Sequence, residues 1–432
     1  MTQILIEHPV LTDPFRPQPF AQETSPRAHK VARSGTLRQL RKKLLVAAAS
    51  LVLALGSTLA GFEIYLKSHP EHPAFAALGA VYDFNETDSS GSLRTKADYR
   101  GVKFVEGRLT HIELNNLGMR SPDVGPRTPD EYRVLFLGDS MTFGHGVEAE
   151  EAFPNLLRDR LAKALGRPVT IGNAGIPGNG HAEHIRDLQR YRDEFQPDLI
   201  VSCPYTGNDF HGDFFGPKKV IDGYYFDTQT ARWLNSNFRA RLALKLKSWF
   251  VIEKFLESNL PALAIDNSTL ALTPEEKNRY DRFTKPLTEG LFMDAVEPLA
   301  VTADVLDSME RNIRDMLALA GPIPVVSAIL PSFVQVWPGI YDIALESSGL
   351  EKDLYQQGLG AERFRRRCES IGVECIDLGP VLSAKSQANE FYLPTDLHYS
   401  KLGHDTIADE LLPAITEAAL RKLTTTASGG SN

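Results

Sequence analysis

Cysteine is scarce: Cys203, Cys368 and Cys375 are all that 432 residues contain. Their spacing is not that of a zinc site, and their number is far too small for a disulfide scaffold, so the structure must rest on packing. Cys368 and Cys375 are expected as free, partly buried thiols, with a bridge between them as the alternative in an oxidising compartment. An excess of positive charge is also missing. The formal net charge is −8, with 47 basic against 55 acidic residues. Without a large basic surface the chain lacks the electrostatics of phosphate recognition, and nucleic acid is not an expected partner. Internal repeats are absent too, and the one small low-complexity stretch is the polar tail Thr424–Asn432. What is present is a hydrophobic content of 42%, enough for a real buried core.

The first long apolar run is Leu44–Phe62, LLVAAASLVLALGSTLAGF. As a helix it spans about 28 Å, close to the roughly 30 Å of bilayer hydrocarbon. Arg33, Arg38, Arg41, Lys42 and Lys43 precede it, whereas Glu63, Lys67 and Glu71 follow. The positive-inside rule then places the N-terminus in the cytoplasm and the larger C-terminal part outside, in the periplasm or its equivalent. A cleaved signal peptide fits less well, because the leader is long and no A-x-A site closes the run. A buried helix of a soluble domain fits less well because the apolar character is continuous around the circumference.

Residues 1–43, rich in Pro, Gln, Thr and Arg without apolar periodicity, read as a flexible cytoplasmic tail. Residues 44–66 form the membrane helix. Residues 67–131 read as a stalk followed by a hairpin-like lead-in over Gly101–Leu117. From Arg133 the pattern changes. Val134–Gly138, Val169–Asn173, Leu199–Cys203, Pro324–Leu330 and Val373–Leu378 are short, β-branched, nearly continuous apolar runs, as strands buried on both faces are. Helical stretches at Pro154–Leu165, His181–Phe195 and Ala303–Leu319 alternate with them. The expected architecture of 132–422 is therefore α/β, a three-layer sandwich with a central parallel sheet. Such sheets place ligands at the C-terminal ends of their strands. An insertion at about 211–301, with an amphipathic helix over Ala240–Phe255, interrupts the rhythm as a lid, a wall or a packing subdomain. Residues 423–432 read as a disordered polar tail.

The strongest local signal is Val134-Leu-Phe-Leu-Gly-Asp-Ser-Met-Thr-Phe-Gly144, a buried strand ending in Gly138-Asp139-Ser140. A serine just past a strand projects its hydroxyl from the sheet edge, where free backbone N–H groups can stabilise an oxyanion. The plainer reading is that Asp139 and Ser140 cap a helix. Three further sites weigh against it. The second strand runs into the glycine-rich turn Asn173-Ala-Gly-Ile-Pro-Gly178, the third into Thr206-Gly207-Asn208-Asp209, and near the C-terminus stands Leu393-Pro-Thr-Asp-Leu-His-Tyr-Ser400. A serine needs a base, the base needs a group to fix its tautomer, and the tetrahedral intermediate needs donors. These segments hold all three.

In order and content the four segments resemble the signature blocks of the SGNH/GDSL hydrolases, an SGNH/flavodoxin-like fold. The resemblance covers roughly Arg133–Ala419 outside the insertion. It implies Ser140 as nucleophile, His398 as general base, Asp396 as its orienting carboxylate, and Ser140 N–H, Gly178 N–H and the Asn208 side chain as oxyanion donors. No metal and no organic cofactor is implied. Asn115-Asn-Leu-Gly-Met-Arg-Ser-Pro122 resembles a segment that precedes the first block in many exported, anchored members. One departure is the spacing Asp396-Leu397-His398 in place of Asp-x-x-His. It is similar to the arrangement in SGNH-like proteins that acetylate alginate and related exopolysaccharides, although there the serine segment comes last. A Ser–His dyad is the alternative to a triad. The segment order, and Thr142 where a second glycine would stand, separate the chain from the G-x-S-x-G α/β-hydrolases.

The expected activity is that of a membrane-anchored serine esterase on O-acyl, foremost acetyl, groups of a small molecule or of envelope or exported polysaccharide. Acyl transfer to a sugar hydroxyl by the same serine is the second reading, and a non-catalytic glycan-binding domain the third. Among other candidates, His181 and His184 read as a solvated helix start rather than a metal site, His145 as a surface turn residue with a place in the lining of the pocket as the alternative, and Cys203 as an inert core thiol.

Overall fold

The computed structural model describes residues 27–69, 84–212, 219–226, 228–264 and 288–429. The first 26 residues of the expected tail, 70–83 of the stalk, 213–218, 227 and 265–287 of the insertion, and 430–432 lie outside the described residues. Two compact units divide the chain, Met1–Phe62 and Glu63–Asn432. The first is dominated by helix α1 (Arg27–Ser68), whose last turn belongs to the second. Within Leu37–Ser68 an 18-residue window has a mean hydropathy of 2.1, and the stretch is long and apolar enough to cross a membrane. Leu45, Val52 and Leu53 of this helix are 70%, 69% and 72% exposed. It begins well before Leu44 because the Leu, Arg, Gln and Lys residues ahead of the apolar run are themselves good helix formers.

In the second unit β1 (Arg100–Val105) and β2 (Arg108–Glu113) form an antiparallel hairpin. The main sheet comprises β3 (Tyr132–Gly138), β4 (Val169–Gly175), β5 (Leu199–Cys203), β6 (Val325–Ile329) and β7 (Glu374–Asp377), all parallel, in the order β7-β6-β5-β3-β4. Successive side chains leave opposite faces of a strand. Val134 and Phe136 of β3 join one core with Leu157 and Leu161 of α3 (Phe153–Leu165) and with Ile407, Leu411 and Ile415 of α7 (Lys401–Gly429). Leu135 and Leu137 join another with Leu188 and Tyr191 of α4 (Glu183–Phe195) and Met316 of α5 (Ala300–Ala320). On that same side α5 continues against Phe364 and Cys368 of α6 (Leu359–Ser370). Helices thus cover both faces, the three-layer α/β arrangement expected from the continuous apolar runs.

Register decides where the chemistry falls. Gly138 is paired with both Gly175 and Cys203, so the segments that follow β3, β4 and β5 leave the sheet at one edge. The chain reverses its direction of travel across the sheet beside β3, which makes this edge the topological switch point. In the insertion, the single helix expected over Ala240–Phe255 is two, Phe238–Lys245 and Lys247–Asn259, broken at the extended residue Leu246. Helix α7 runs to Gly429, into the stretch read as a polar tail. Thr424–Ser428 contains no glycine or proline to stop it. Cys203, Cys368 and Cys375 are all buried free thiols.

Candidate active site

Strand β3 delivers Ser140 into α2 (Ser140–Phe143), a single turn. The Asp139 carboxylate caps it by accepting from Met141 N at 2.8 Å, so the capping role read from sequence is fulfilled by Asp139 while the Ser140 hydroxyl stays available. Gly138 is required by close approach, since a Cβ there would meet Thr142 Oγ1 at 2.0 Å. Gly144 closes the turn with φ 86°, a left-handed conformation that glycine adopts without penalty.

His398 Nε2 lies 2.7 Å from Ser140 Oγ, and His398 Nδ1 lies 2.5 Å from Asp396 Oδ1. Two side chains separated from Ser140 by more than 250 residues thus complete a line of three groups within hydrogen-bond reach. With one residue between Asp396 and His398, both reach the same side because Leu397 is left-handed, φ 66°, an unusual conformation for a residue bearing a Cβ. The loop is held at both ends: Leu393 N donates to His398 O at 2.7 Å, and the Glu106 carboxylate accepts from Thr395 N, Thr395 Oγ1 and Asp396 N. Glu106 sits at the tip of the β1–β2 hairpin, which gives that lead-in a definite place at the site.

The turn after β4 hangs beside the serine, with Ile176 N donating to Gly138 O at 3.0 Å. Gly178 is exposed there with φ 91°. Asn173 of the same strand ties α2 down, its Nδ2 donating to Thr142 O at 3.0 Å. Asn179 donates to the buried Asp187 at 2.6 Å, whose carboxyl is pushed up to about 7 by burial. After β5, Tyr205 N donates to Asp209 Oδ2 at 2.9 Å and Thr206 Oγ1 to Gln335 Oε1 at 2.6 Å, which braces the turn that presents Asn208. The Asn208 side chain helps to lower the Asp139 carboxyl against the effect of burial. All the residues implied by the resemblance therefore converge on one sheet edge.

Charge follows from burial and neighbours. Burial raises the Asp139 carboxyl to about 6 against the pull of Met141 N–H, His398 and Asn208. Burial also pushes Asp396 upward, but the contacts from His145 and His398 outweigh it and hold this carboxyl well below the usual range. The Cys203 thiol is driven up by burial and stays inert.

Two readings from sequence are corrected. His145 is not a surface turn residue: it is 2% exposed, with Nε2 3.6 Å from Asp396 Oδ2 and its ring 4.3 Å from that of His398. Nor are His181 and His184 a solvated helix start, since both are buried. His184 Nδ1 lies 3.0 Å from Ser202 Oγ and His181 packs edge-on against Phe364. His145, Asp396 and His398 each bring one ligand atom within 4.8 Å of the others, a spacing compatible with a cation as well as with a proton relay. Both ring nitrogens of His398 already face Asp396 and Ser140, which favours the relay.

A further residue under the site is Arg120, wholly buried. Its Nη1 donates to Phe143 O at 3.2 Å and to Gly144 O, its Nη2 to His111 O at 3.0 Å and Val147 O at 2.6 Å. The guanidinium also lies over the Phe143 ring, 4.7 Å from its centroid. The stretch from Phe143 to Val147, directly after the nucleophile turn, is thereby fastened to the lead-in segment.

Residues 136–249 match the model of the GDSL-like lipase/acylhydrolase family. An arylesterase of Vibrio mimicus is 34% identical over 89 residues, which cover 21% of this chain and 42% of that protein. The chain thus matches less than half the length of this curated relative. Among solved structures, a psychrotrophic esterase from Pseudoalteromonas sp. is 12% identical with a TM-score of 0.32, covering 66% of this chain and 97% of that one. A lipase/acylhydrolase from Enterococcus faecalis is 13% identical with a TM-score of 0.34, covering 66% and 96%.

Proposed function

We propose that this chain, which carries a domain of the GDSL-like lipase/acylhydrolase family, is a membrane-anchored serine esterase working through an acyl-enzyme. The observation that carries the reading is the line Asp396–His398–Ser140, with contacts of 2.5 and 2.7 Å. Ser140 Oγ attacks the acyl carbonyl carbon while its proton passes to His398 Nε2. Asp396 stays ionised and holds the Nδ1–H of the resulting imidazolium. The tetrahedral oxyanion is met by Ser140 N–H, Gly178 N–H and the Asn208 amide. Its collapse expels the alcohol, which takes the proton from His398. Water, deprotonated by His398, then attacks the acyl carbon, and the second tetrahedral intermediate collapses with cleavage of the bond to Ser140 Oγ, which takes the proton back from His398 as the acid is released.

The Asn208 contribution has a defined expectation. Loss of one oxyanion donor typically lowers turnover about 10²- to 10³-fold, so Asn208→Ala should reduce kcat by that factor and leave KM nearly unchanged. A variant at wild-type kcat would remove Asn208 from the site.

The substrate reading follows from location. Helix α1 is long and apolar enough to span a bilayer, and the cluster Arg38, Arg41, Lys42 and Lys43 before its apolar stretch favours an orientation with the N-terminus in the cytoplasm and the catalytic unit outside. An enzyme tethered there meets envelope and exported glycans, whose O-acetyl esters are the proposed substrate. The full chain in detergent should release acetate from an acetylated polysaccharide, and Ser140→Ala should not. Turnover of soluble aryl esters with no release from any acetylated glycan would keep the esterase and discard the glycan. The anchor is tested separately. Wild type should remain in the membrane fraction through an alkaline carbonate wash. A Leu51→Arg/Leu53→Arg double variant, with two charges at about 3 kcal/mol each near the helix centre, should not. Release of wild type by the wash would overturn the anchor.

A further inference from the structure

The proposed chemistry leaves one buried titratable group beside the reacting residues without a task, and that group is His145. It is tied to the nucleophile through the backbone, His145 N donating to Ser140 O at 3.1 Å across the left-handed Gly144. Its Nε2 faces the carboxylate oxygen of Asp396 that His398 does not use, Oδ2, at 3.6 Å. Asp396 therefore lies between two imidazoles, one to each oxygen. The groups facing His145 are Lys103 from β1 and Asp396 and His398 from the 393–398 loop, with Leu393 and Val105 packed around the adjacent Gly146. Burial, with the Lys103 and His398 charges, lowers His145 to about 3 against the pull of Asp396. Around neutrality it is an uncharged imidazole, so it neither competes with His398 for the serine proton nor pairs with Asp396 as a cation.

A neutral imidazole facing a carboxylate through Nε2 acts as a hydrogen-bond donor. The short Asp-x-His loop gives it something to do. The Asp396 side chain is 25% exposed and is followed directly by Leu397 in a left-handed conformation, and nothing in a free carboxylate fixes its rotation about the Cβ–Cγ bond. A donor on Oδ2 does so. We propose that His145 is a positioning residue that donates Nε2–H to Asp396 Oδ2 and so holds Oδ1 against the Nδ1–H of His398. The catalytic consequence rests on the esterase reading above. In each half-reaction His398 gains and loses the proton, Asp396 remains a carboxylate, and His145 keeps its own.

The test compares His145→Phe, which fills the space without a donor, with His145→Gln, which retains one, in the full chain in detergent. Outer partners of this kind are worth about 10- to 100-fold in activity. His145→Phe should lose that factor in kcat on a soluble aryl ester with KM within about twofold, and His145→Gln should recover most of it. The strongly deshielded proton NMR resonance of a hydrogen bond between His398 Nδ1 and Asp396, identified by its absence in Asp396→Asn, should vanish in His145→Phe and persist in His145→Gln. This readout does not depend on turnover. A wild type with the resonance but no ester hydrolysis would defeat the esterase reading, and the pair of variants would still judge His145. Equal losses in Phe and Gln, or a Phe variant with unchanged kcat and resonance, would overturn the proposal.

Discussion

Ser140→Ala should abolish covalent labelling by a fluorophosphonate and lower ester hydrolysis roughly 10⁴- to 10⁶-fold, the range for removing the nucleophile of a serine–histidine pair. The phosphorus reagent requires an oxygen whose proton has somewhere to go, and 2.7 Å to His398 Nε2 supplies that path. His398→Ala should fall in the same range, and the double variant should be no worse than either single one, because the residues act as a unit. Asp396→Asn should be hurt less, since it preserves the shape of the loop and removes the charge that stabilises the imidazolium. The loss should come without unfolding. Ser140 is partly exposed, and α2 is capped by Asp139 rather than by the serine. Labelling that survives in Ser140→Ala would place the nucleophile elsewhere. No labelling of a folded wild type would leave a binding domain as the better description.

What the sequence made legible is what local pattern controls. Runs such as Val134–Gly138 and Leu199–Cys203 are apolar on both faces, and only a strand covered on two sides needs that. Ser140, Asn208 and His398 could be named because each follows such a run or sits in a short motif of distinctive composition. The remainder of the site depends on contacts that no local pattern encodes. Glu106 serves a loop 289 residues away, and in sequence Glu106-Gly107 is only a hairpin turn. Gly144-His145-Gly146 has the composition of a surface turn, and His145 is buried because Asp396 and His398 arrive from the far end of the chain. His181 and His184 were misread for a related reason. The first turn of α4 is polar in composition, but Phe364 from α6 closes over it. The break at Leu246 lacks glycine or proline; there Lys247 N and Ser248 N donate to the Glu63 carboxylate at 3.3 and 2.8 Å, a cap from a residue 184 positions away that no local pattern encodes.

Arg120→Met should be the most destabilising single substitution in the neighbourhood of the site, by about 2–4 kcal/mol, the scale of leaving one or two buried acceptors without a donor. The guanidinium meets four carbonyls from three segments, His111, Phe143–Gly144 and Val147. Hydrogen bonds from a charged donor contribute about 1.5–3 kcal/mol each, and methionine would remove all four, leaving Phe143 O and Gly144 O with only the longer contacts from Asn173 Nδ2 at 3.5 Å and Val147 N at 3.3 Å. Burial lowers the guanidinium to about 10, opposed by Glu148, Glu150 and Glu151, so it remains charged over the physiological range. Lysine should not rescue, because a point charge cannot reproduce a planar fork that serves two pairs of carbonyls. The fastened stretch Phe143–Val147 contains His145 and directly follows the turn that begins at Ser140, so activity should fall together with stability. Urea unfolding followed in parallel by ellipticity and by fluorophosphonate labelling separates two cases. Loss of labelling before the global transition in Arg120→Met, with the two coincident in wild type, would mark Arg120 as the clamp of the nucleophile turn. Wild-type stability in Arg120→Met would mean that water satisfies those carbonyls as well as the guanidinium does.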